Sequence, residues 1–340
     1  MKSVKYFKCI IWIMTASCIF FSSVAFSQVK NFDGIVVLGT SLSDSGNAFV
    51  LLSDPAAFGF STECIGKMGV SANVPPYDQL DEFLVPNGSY ARGGHHETNG
   101  ATWIEQFAQG KGLSGYTRPA LQSTTTKARN YAVGGARAGD YPCRFNLSDQ
   151  LNTYMSDFPE TSPNALVVIE MGGNDVRDAL VTQNPTLIVA ALTNIGNAIQ
   201  TLYGQGARKF LLVNVPAIGA TPAVKIIDDK FGGTGAIIAA ANSLAEAFDG
   251  GLADLQKGLN ALPGADIRML DLHALLNEII ADPASFGITN TSDACVTPNL
   301  PPYKCQKPDT YLFWDGIHPT KVVHGIMAQR AAVVLLAPKP

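Results

Sequence analysis

The sequence predicts a single α/β domain of the doubly wound kind, with a parallel sheet of about five strands between two layers of helices. Short, almost continuously apolar segments alternate along the chain with longer segments whose apolar residues recur at helical spacing. Strands without polar alternation are expected where helices cover both faces of a parallel sheet. Hydrophobic residues make up 46% of the 340 residues, which supports one large core and excludes a disordered chain.

Five short apolar segments are the predicted strands. Each is bounded by Gly, Pro, Asn or Asp, which are typical of the turns at strand ends. The segments are Ile35–Leu38, the region around Ala132 and Val133, Leu166–Ile169, Phe210–Val215 and Ile267–Leu270.

Longer segments with apolar residues at every third or fourth position are predicted to be helices. The clearest are Thr186–Tyr203, Ala236–Leu259 and Thr320–Leu336. Two stretches interrupt the alternation, at about 53–99 and about 282–311, and both are rich in Pro, Gly and polar residues. Because loops of this length in a compact domain are usually functional, we expect ordered excursions over the binding face.

The first 27 residues have the pattern of a secretory signal peptide. Three lysines precede an apolar run over residues 9–21, and the small residues Ala25 and Ser27 come just before Gln28. The run is shorter than the roughly 20 residues that a membrane-spanning helix needs, which disfavours a retained anchor. We therefore expect cleavage near Ser27, a mature domain over 28–340 without a transmembrane segment, and a secreted or periplasmic location.

The charge balance disfavours binding to nucleic acid. The formal net charge is −4, and removal of the predicted leader, with its three lysines and no acidic residue, makes it −7. Long-range electrostatics would then oppose contact with a phosphate backbone or an anionic membrane. The oligomeric state is left open.

Four cysteines remain outside the predicted leader, and they allow three disulfide pairings. Disulfides are the expected state in an exported chain. We favour Cys64 with Cys143, which would tie down the longer insertion, and Cys295 with Cys305, which would close a short Pro-rich loop. A zinc site is the alternative, but Cys-x-x-Cys is absent and no His stands at ligand spacing, so we expect no metal.

A serine directly follows the first predicted strand, in the sequence Gly-Thr-Ser-Leu-Ser-Asp-Ser-Gly-Asn over residues 39–47. Ser41 thus falls at the carboxyl end of a strand, where open α/β sheets bind their ligands. The simpler alternative is a turn whose serines only cap the next helix. The Gly-x-Ser-x-Gly elbow of α/β-hydrolases is absent, because Ser43 stands where its second glycine would be.

Three further blocks contain residues suited to acyl-transfer chemistry. Asp315 and His318 are three residues apart, so the carboxylate can orient the imidazole of a general base. Glycine pairs follow two other strands, and one of them continues into Asn174. Glycine lets a backbone N–H approach an oxyanion, and an Asn amide can be a second donor. Ordinary turns and a helix cap are the alternative interpretation.

In this order and spacing, the four blocks resemble the GDSL, or SGNH, hydrolase family of lipases and esterases, in particular its secreted bacterial members. The resemblance spans nearly the whole mature chain and implies a flavodoxin-like fold. It implies that Ser41 is the nucleophile, His318 the base and Asp315 its orienter. It also implies oxyanion donors at the backbone N–H groups of Ser41 and Gly135 and at the amide of Asn174. No metal or organic cofactor is expected for this chemistry.

One residue departs from the family pattern, because Gly39-Thr40-Ser41-Leu42 replaces the usual Gly-Asp-Ser-Leu. The change removes a carboxylate beside the nucleophile while a hydroxyl remains. We expect it to alter rate, pH optimum or loop order rather than the type of reaction.

Three functions remain open at this stage. The first is hydrolysis of acyl esters by an esterase, lipase, lysophospholipase or phospholipase A, with a small-molecule or lipid ester as partner. Acyl transfer to another alcohol is possible on the same scaffold. The second is a carbohydrate acetylesterase, whose cleft could be lined by Tyr77, Tyr90, Trp103 and Tyr116. The third is a catalytically inactive binding protein, for which Thr40 is the only indication.

Overall fold

Four parallel strands form the central sheet in a computed structural model, which describes residues 32–61, 63–64, 96–122, 126–296 and 304–339. In spatial order they are β1 (Ile35–Gly39), β2 (Leu166–Glu170), β3 (Lys209–Val213) and β4 (Asp266–Leu270). The strands pair in register, so that their carboxyl ends form one edge. The predicted leader and most of the 53–99 insertion lie outside the described residues.

Nine helices of at least seven residues are present in the described part of the chain. They are α1 (Asn47–Ser53), α2 (Trp103–Gly110), α3 (Leu147–Asp157), α4 (Gly173–Thr182), α5 (Thr186–Gly204), α6 (Pro222–Lys230), α7 (Ala236–Leu259), α8 (Leu272–Ala281) and α9 (Lys321–Leu336). The three long helices predicted from periodicity correspond to α5, α7 and α9. None of the helices in this part of the chain is both long and apolar enough to cross a membrane.

Successive strand residues face opposite helix layers, which explains why the strands are apolar throughout. Val36 and Leu38 of β1 pack in a core with residues of α3, α5 and α7. Ile35 and Val37 pack in a second core with residues of α2, α8 and α9. The doubly wound fold is therefore confirmed, with the sheet buried on both faces.

The sheet has four strands where five were predicted. The segment around Ala132 does lie beside β1. The N–H of Val37 donates to the backbone carbonyl of Arg129 (2.9 Å), and the N–H of Tyr131 donates to the backbone carbonyl of Val37 (2.8 Å). The side-chain amide of Asn47 donates to the backbone carbonyls of residues 130 and 132, which point away from β1. With β1 the segment forms one isolated β-bridge, between Val37 and Asn130, and Asn130 also bridges Pro119 on its other side.

Both predicted disulfides are present, which confirms the favoured pairing. Cys64 is bonded to Cys143, and Cys295 is bonded to Cys305. In the second polar stretch, β5 (Asn290–Ala294) and β6 (Tyr311–Phe313) form a small parallel sheet. Among the described residues, no group of three or more His, Cys, Asp or Glu side chains is arranged to hold a metal ion.

Candidate active site

Ser41 lies in the turn that leaves β1, at the carboxyl edge of the sheet. The N–H groups of Ser43 and Asp44 both donate to the carbonyl of Thr40, at 3.1 and 3.0 Å, which closes the turn. Ser41 is partly exposed and lines a cavity of about 570 Å³ together with Asn174 and His318. Three of the predicted site residues are thus brought to one cavity.

Two buried carboxylates hold the polypeptide around this cavity. Asp44 accepts the N–H groups of Gly46, Asn47 and Ala48, which begin α1, and also the N–H of Gly134 at 2.8 Å. Burial raises the pKa of Asp44 to about 6, although these N–H groups oppose the rise. Asp175 in turn accepts the N–H groups of residues 138 and 139.

The glycine turn after the segment around Ala132 leaves one backbone N–H available as a hydrogen-bond donor. Because the N–H of Gly134 is bound to Asp44, it cannot serve a ligand, whereas the N–H of Gly135 has no acceptor among the described residues. Gly135 adopts a φ of 77°, which glycine tolerates best. The side-chain amide of Asn174 donates one hydrogen to the carbonyl of Ala136 at 2.9 Å. Its second hydrogen is left to bind a ligand.

Asp315 and His318 form a buried pair after β6. The Nδ1 atom of His318 lies 2.7 Å from the carboxylate of Asp315, whose other oxygen accepts the N–H groups of Ile317 (2.8 Å) and His318 (2.7 Å). Burial opposes ionisation of Asp315, but His318 and these N–H groups outweigh it and lower the pKa of the carboxyl. The carboxylate is therefore ionised and fixes the orientation of the ring.

A second carboxylate binds the opposite side of the same ring. The Nε2 atom of His318 lies 2.9 Å from a carboxylate oxygen of Glu97, and the side chain of Glu97 is 18% exposed. A Cβ on Gly134 would overlap this carboxylate, so the close approach requires glycine. Burial alone would lower the pKa of His318, but Asp315 and Glu97 together raise it to about 10. Sequence analysis did not single out Glu97, because no motif surrounds it.

A third carboxylate lies beside the nucleophile turn. Glu170 ends β2, directly across from Gly39, and accepts the N–H (3.0 Å) and the hydroxyl (2.8 Å) of Thr40. Burial raises the pKa of Glu170 to about 7, although the bonds from Thr40 oppose the rise. Glu170 on the neighbouring strand thus places a carboxyl group next to Thr40. The usual Gly-Asp-Ser-Leu motif has the carboxyl group of its own aspartate at this position. A charged residue at the end of a buried strand is the signal that sequence analysis missed.

Comparison with known proteins identifies the family. Residues 35–331 match the family model described as GDSL-like lipase/acylhydrolase, so the chain belongs to that family, and the resemblance seen in the sequence is confirmed. The protein is accordingly a carboxylic-ester hydrolase.

Two relatives and one solved structure illustrate the similarity. The chain is 28% identical over 188 residues to a GDSL esterase/lipase of Arabidopsis thaliana, a match that covers 49% of this chain and spans only about half (51%) of that relative. It is 24% identical over 330 residues to another from the same plant, which covers 88% of this chain and 90% of the relative. The crystal structure of an acetyl xylan esterase aligns with 88% of this chain and 97% of its own, at 14% identity and a TM-score of 0.39.

Proposed function

We propose that the protein is an exported serine hydrolase that cleaves acyl esters through an acyl-enzyme formed on Ser41. In this proposal His318 is the general base and Asp315 holds its orientation. The single observation that carries the proposal is the 2.7 Å contact between Asp315 and His318, buried beside the cavity that Ser41 also lines. The two disulfides support export, because disulfides persist in oxidising compartments.

The first half of the reaction forms the acyl-enzyme. The oxygen of Ser41 attacks the ester carbonyl while Nε2 of His318 takes its proton, and the developing oxyanion accepts hydrogen bonds from donors at the turn. We assign these donors to the N–H groups of Ser41 and Gly135 and to the amide of Asn174. The engagement of Gly134 by Asp44 supports Gly135 as the donor. His318 then protonates the leaving alcohol.

The second half releases the acid. A water molecule loses its proton to His318 and attacks the acyl-serine, and the collapse of the second tetrahedral intermediate returns the proton to Ser41. If another alcohol takes the place of water, the same steps transfer the acyl group. Besides water or another alcohol, these steps use only the protein groups named here, once Glu97 has left Nε2 of His318.

The cavity favours substrates with an apolar acyl chain. Much of its wall is apolar and follows β3 and β4, including Val215, Ile218, Val224, Leu272, Leu276 and Ile279. Trp103, which the acetylesterase alternative would place in a polar cleft, is fully buried, and its indole N–H donates to Ser43 at 3.0 Å. Tyr77 and Tyr90 lie outside the described residues.

The deciding experiment compares the wild-type protein, expressed with its own leader, with its Ser41→Ala variant on p-nitrophenyl esters from acetyl to palmitoyl. We expect activity on medium or long chains that Ser41→Ala abolishes, with circular dichroism showing that both proteins are folded. Activity on acetyl esters of sugars alone would support the acetylesterase alternative. Two folded but inactive proteins would support the binding-protein alternative, and an added alcohol acceptor would reveal acyl transfer.

A further inference from the structure

The position of Ser41 depends on the residues beside it. The side chain of Ser41 borders the cavity and makes no hydrogen bond within the described part of the chain. Thr40 and Ser43, in contrast, are buried. Attack on an ester requires the serine oxygen to lie within about 3–3.5 Å of the carbonyl carbon, so a small displacement is costly. The groups that hold Thr40 and Ser43 therefore decide whether Ser41 can react.

One carboxyl group binds this turn on both sides of Ser41. Glu170 accepts the N–H (3.0 Å) and the hydroxyl (2.8 Å) of Thr40, and the hydroxyl of Ser43 also donates to it. Glu170 ends β2 and is paired with Gly39, the last residue of β1. A Cβ on Gly39 would lie 3.2 Å from a carboxylate oxygen of Glu170, so glycine leaves room for this approach. The carboxyl group thus spans the turn from Thr40 to Ser43.

Two other buried side chains brace the same turn. Trp103 on α2 donates its indole N–H to the hydroxyl oxygen of Ser43 at 3.0 Å. Gln150 on α3 accepts the N–H of Gly39 at 2.8 Å and donates to its carbonyl at 2.9 Å. Helices from both layers and the neighbouring strand therefore hold residues 39–43. A buried network of satisfied hydrogen bonds rigidifies the backbone that it binds.

Loss of the Glu170 carboxyl would release the centre of this network. The N–H of Thr40 has no second acceptor among the described residues, and an unpaired buried donor is unfavourable. The turn would shift toward other partners, and Ser41 would move with it. Displacement of a reacting group by about 1 Å can reduce the rate about 10²-fold. Binding of an acyl chain to the apolar wall, which follows β3 and β4, would change little.

We propose that Glu170 is a positioning residue for Ser41. From the neighbouring strand it takes the place of the carboxyl group that the Gly-Asp-Ser-Leu motif carries beside its serine, and Thr40 supplies the donors that bind it. This inference rests on the proposed function, because it concerns how the nucleophile is held. It follows that the turn needs one carboxyl group, and that residue 40 can provide it when residue 170 does not.

The test exchanges the carboxyl group between the two positions. Its members are the wild type, Thr40→Asp, Glu170→Met and the double variant Thr40→Asp/Glu170→Met, assayed on one p-nitrophenyl ester. Methionine approximates the length of glutamate but is only a weak acceptor. We expect Glu170→Met to lower kcat about 10²-fold with KM changed less than about twofold, because the position of the nucleophile matters after binding. The double variant should recover at least about tenfold of this loss, whereas Thr40→Asp alone should not increase kcat.

Two further variants separate positioning from a general loss of stability. Glu170→Gln keeps an oxygen that can accept the N–H of Thr40, so we expect it to retain most of the wild-type kcat. Asp228→Leu is the matched control, because Asp228 is also a buried carboxyl that accepts two hydrogen bonds, from the N–H groups of Gly235 (2.8 Å) and Ile237 (2.9 Å). Asp228 does not line the cavity, so its loss should lower stability in urea without lowering kcat.

The double variant decides the proposal even if Glu170→Met does not fold. A folded, active double variant would then support the exchange, and an unfolded one would overturn it. If Glu170→Met folds, an unchanged kcat, or a double variant no more active than Glu170→Met, would overturn the proposal.

Labelling with a fluorophosphonate separates this proposal from the proposed function, because it requires a reactive serine but no particular ester. We expect the wild type to be labelled and Ser41→Ala to remain unlabelled. Labelling should be about 10²-fold slower in Glu170→Met and faster again in the double variant. Equal rates in the wild type and Glu170→Met would overturn the positioning role alone. An unlabelled wild type would contradict the proposed function, and the positioning role would fall with it.

Discussion

The Nε2 atom of His318 lies 2.9 Å from the carboxylate of Glu97, which thus binds the ring nitrogen that the proposed mechanism uses to take the proton of Ser41. Because Asp315 binds Nδ1 at 2.7 Å, both ring nitrogens donate to carboxylates and the pKa of His318 is raised to about 10. A general base must be neutral before it can take a proton. A ring with this pKa is protonated at neutral pH, so the proposed mechanism requires Glu97 to leave Nε2 before His318 can take the proton of Ser41.

Glu97→Gln is expected to increase activity at neutral pH. Removal of this negative charge lowers the pKa of His318, so the acidic limb of the pH profile of kcat/KM moves to lower pH. A fall of one unit would raise the neutral fraction of the ring about tenfold on that limb. The profile is measured on a p-nitrophenyl ester, with Glu246→Gln on the exposed face of α7 as the control for lost charge. An unchanged profile would show that Glu97 does not bind His318 in solution.

Asp315→Asn is expected to lower kcat by roughly 10³–10⁴-fold while the protein stays folded. An amide can no longer stabilise the imidazolium, and it favours the wrong tautomer of the ring. Steady-state kinetics measure the loss, and circular dichroism verifies the fold. A decrease of less than tenfold would contradict the orienting role of Asp315.

Asn174→Ala is expected to reduce kcat by about 10²–10³-fold with little change in KM, because an oxyanion donor acts mainly in the transition state. Asn194→Ala is a matched control, since its amide donates to the carbonyl of Ala138 (3.0 Å) much as Asn174 donates to that of Ala136. Asn194 does not line the cavity. Equal losses in the two variants would indicate that both amides only support the loop.

Thr40→Asp is expected to destabilise the protein increasingly as the pH rises. The new carboxyl would face Glu170, whose pKa is already raised to about 7, and two adjacent carboxylates cannot both ionise easily. The folded state then keeps a proton that the unfolded state loses above about pH 4.5, so stability falls as the pH rises from there. Relative to the neutral variant Thr40→Asn, we expect a loss of about 2–3 kcal/mol at pH 8 and little difference at pH 4.

Urea unfolding at a series of pH values measures this effect. A constant difference between the two variants across the range would show that the carboxyl groups do not meet. The comparison also tests whether threonine suits this chain better than the aspartate of the Gly-Asp-Ser-Leu motif, because Glu170 already places a carboxyl group beside the turn.

Local features of the sequence determined the class of fold and much of the candidate site. The helices were predictable because burial with a period of 3.6 is visible among neighbouring residues, and four of the strands were predictable as short apolar runs between turn residues. Asp315 and His318 were predictable as a pair because only three positions separate them. The favoured disulfide pairing was predicted from the positions of four cysteines and the expectation of export, and the structure has it.

Only the tertiary structure decided the contacts between distant segments. Glu97 binds His318 from the end of a long insertion, Glu170 reaches Thr40 from the next strand, and Arg177 turns into the cavity from α4. The fifth predicted strand forms only an isolated bridge to β1, and the amide of Asn47, far away in sequence, binds the carbonyls on its other side. Such contacts depend on how whole elements pack against one another, and no local pattern of residues encodes that packing. The same packing sets the pKa of the proposed base and the charge of the cavity wall.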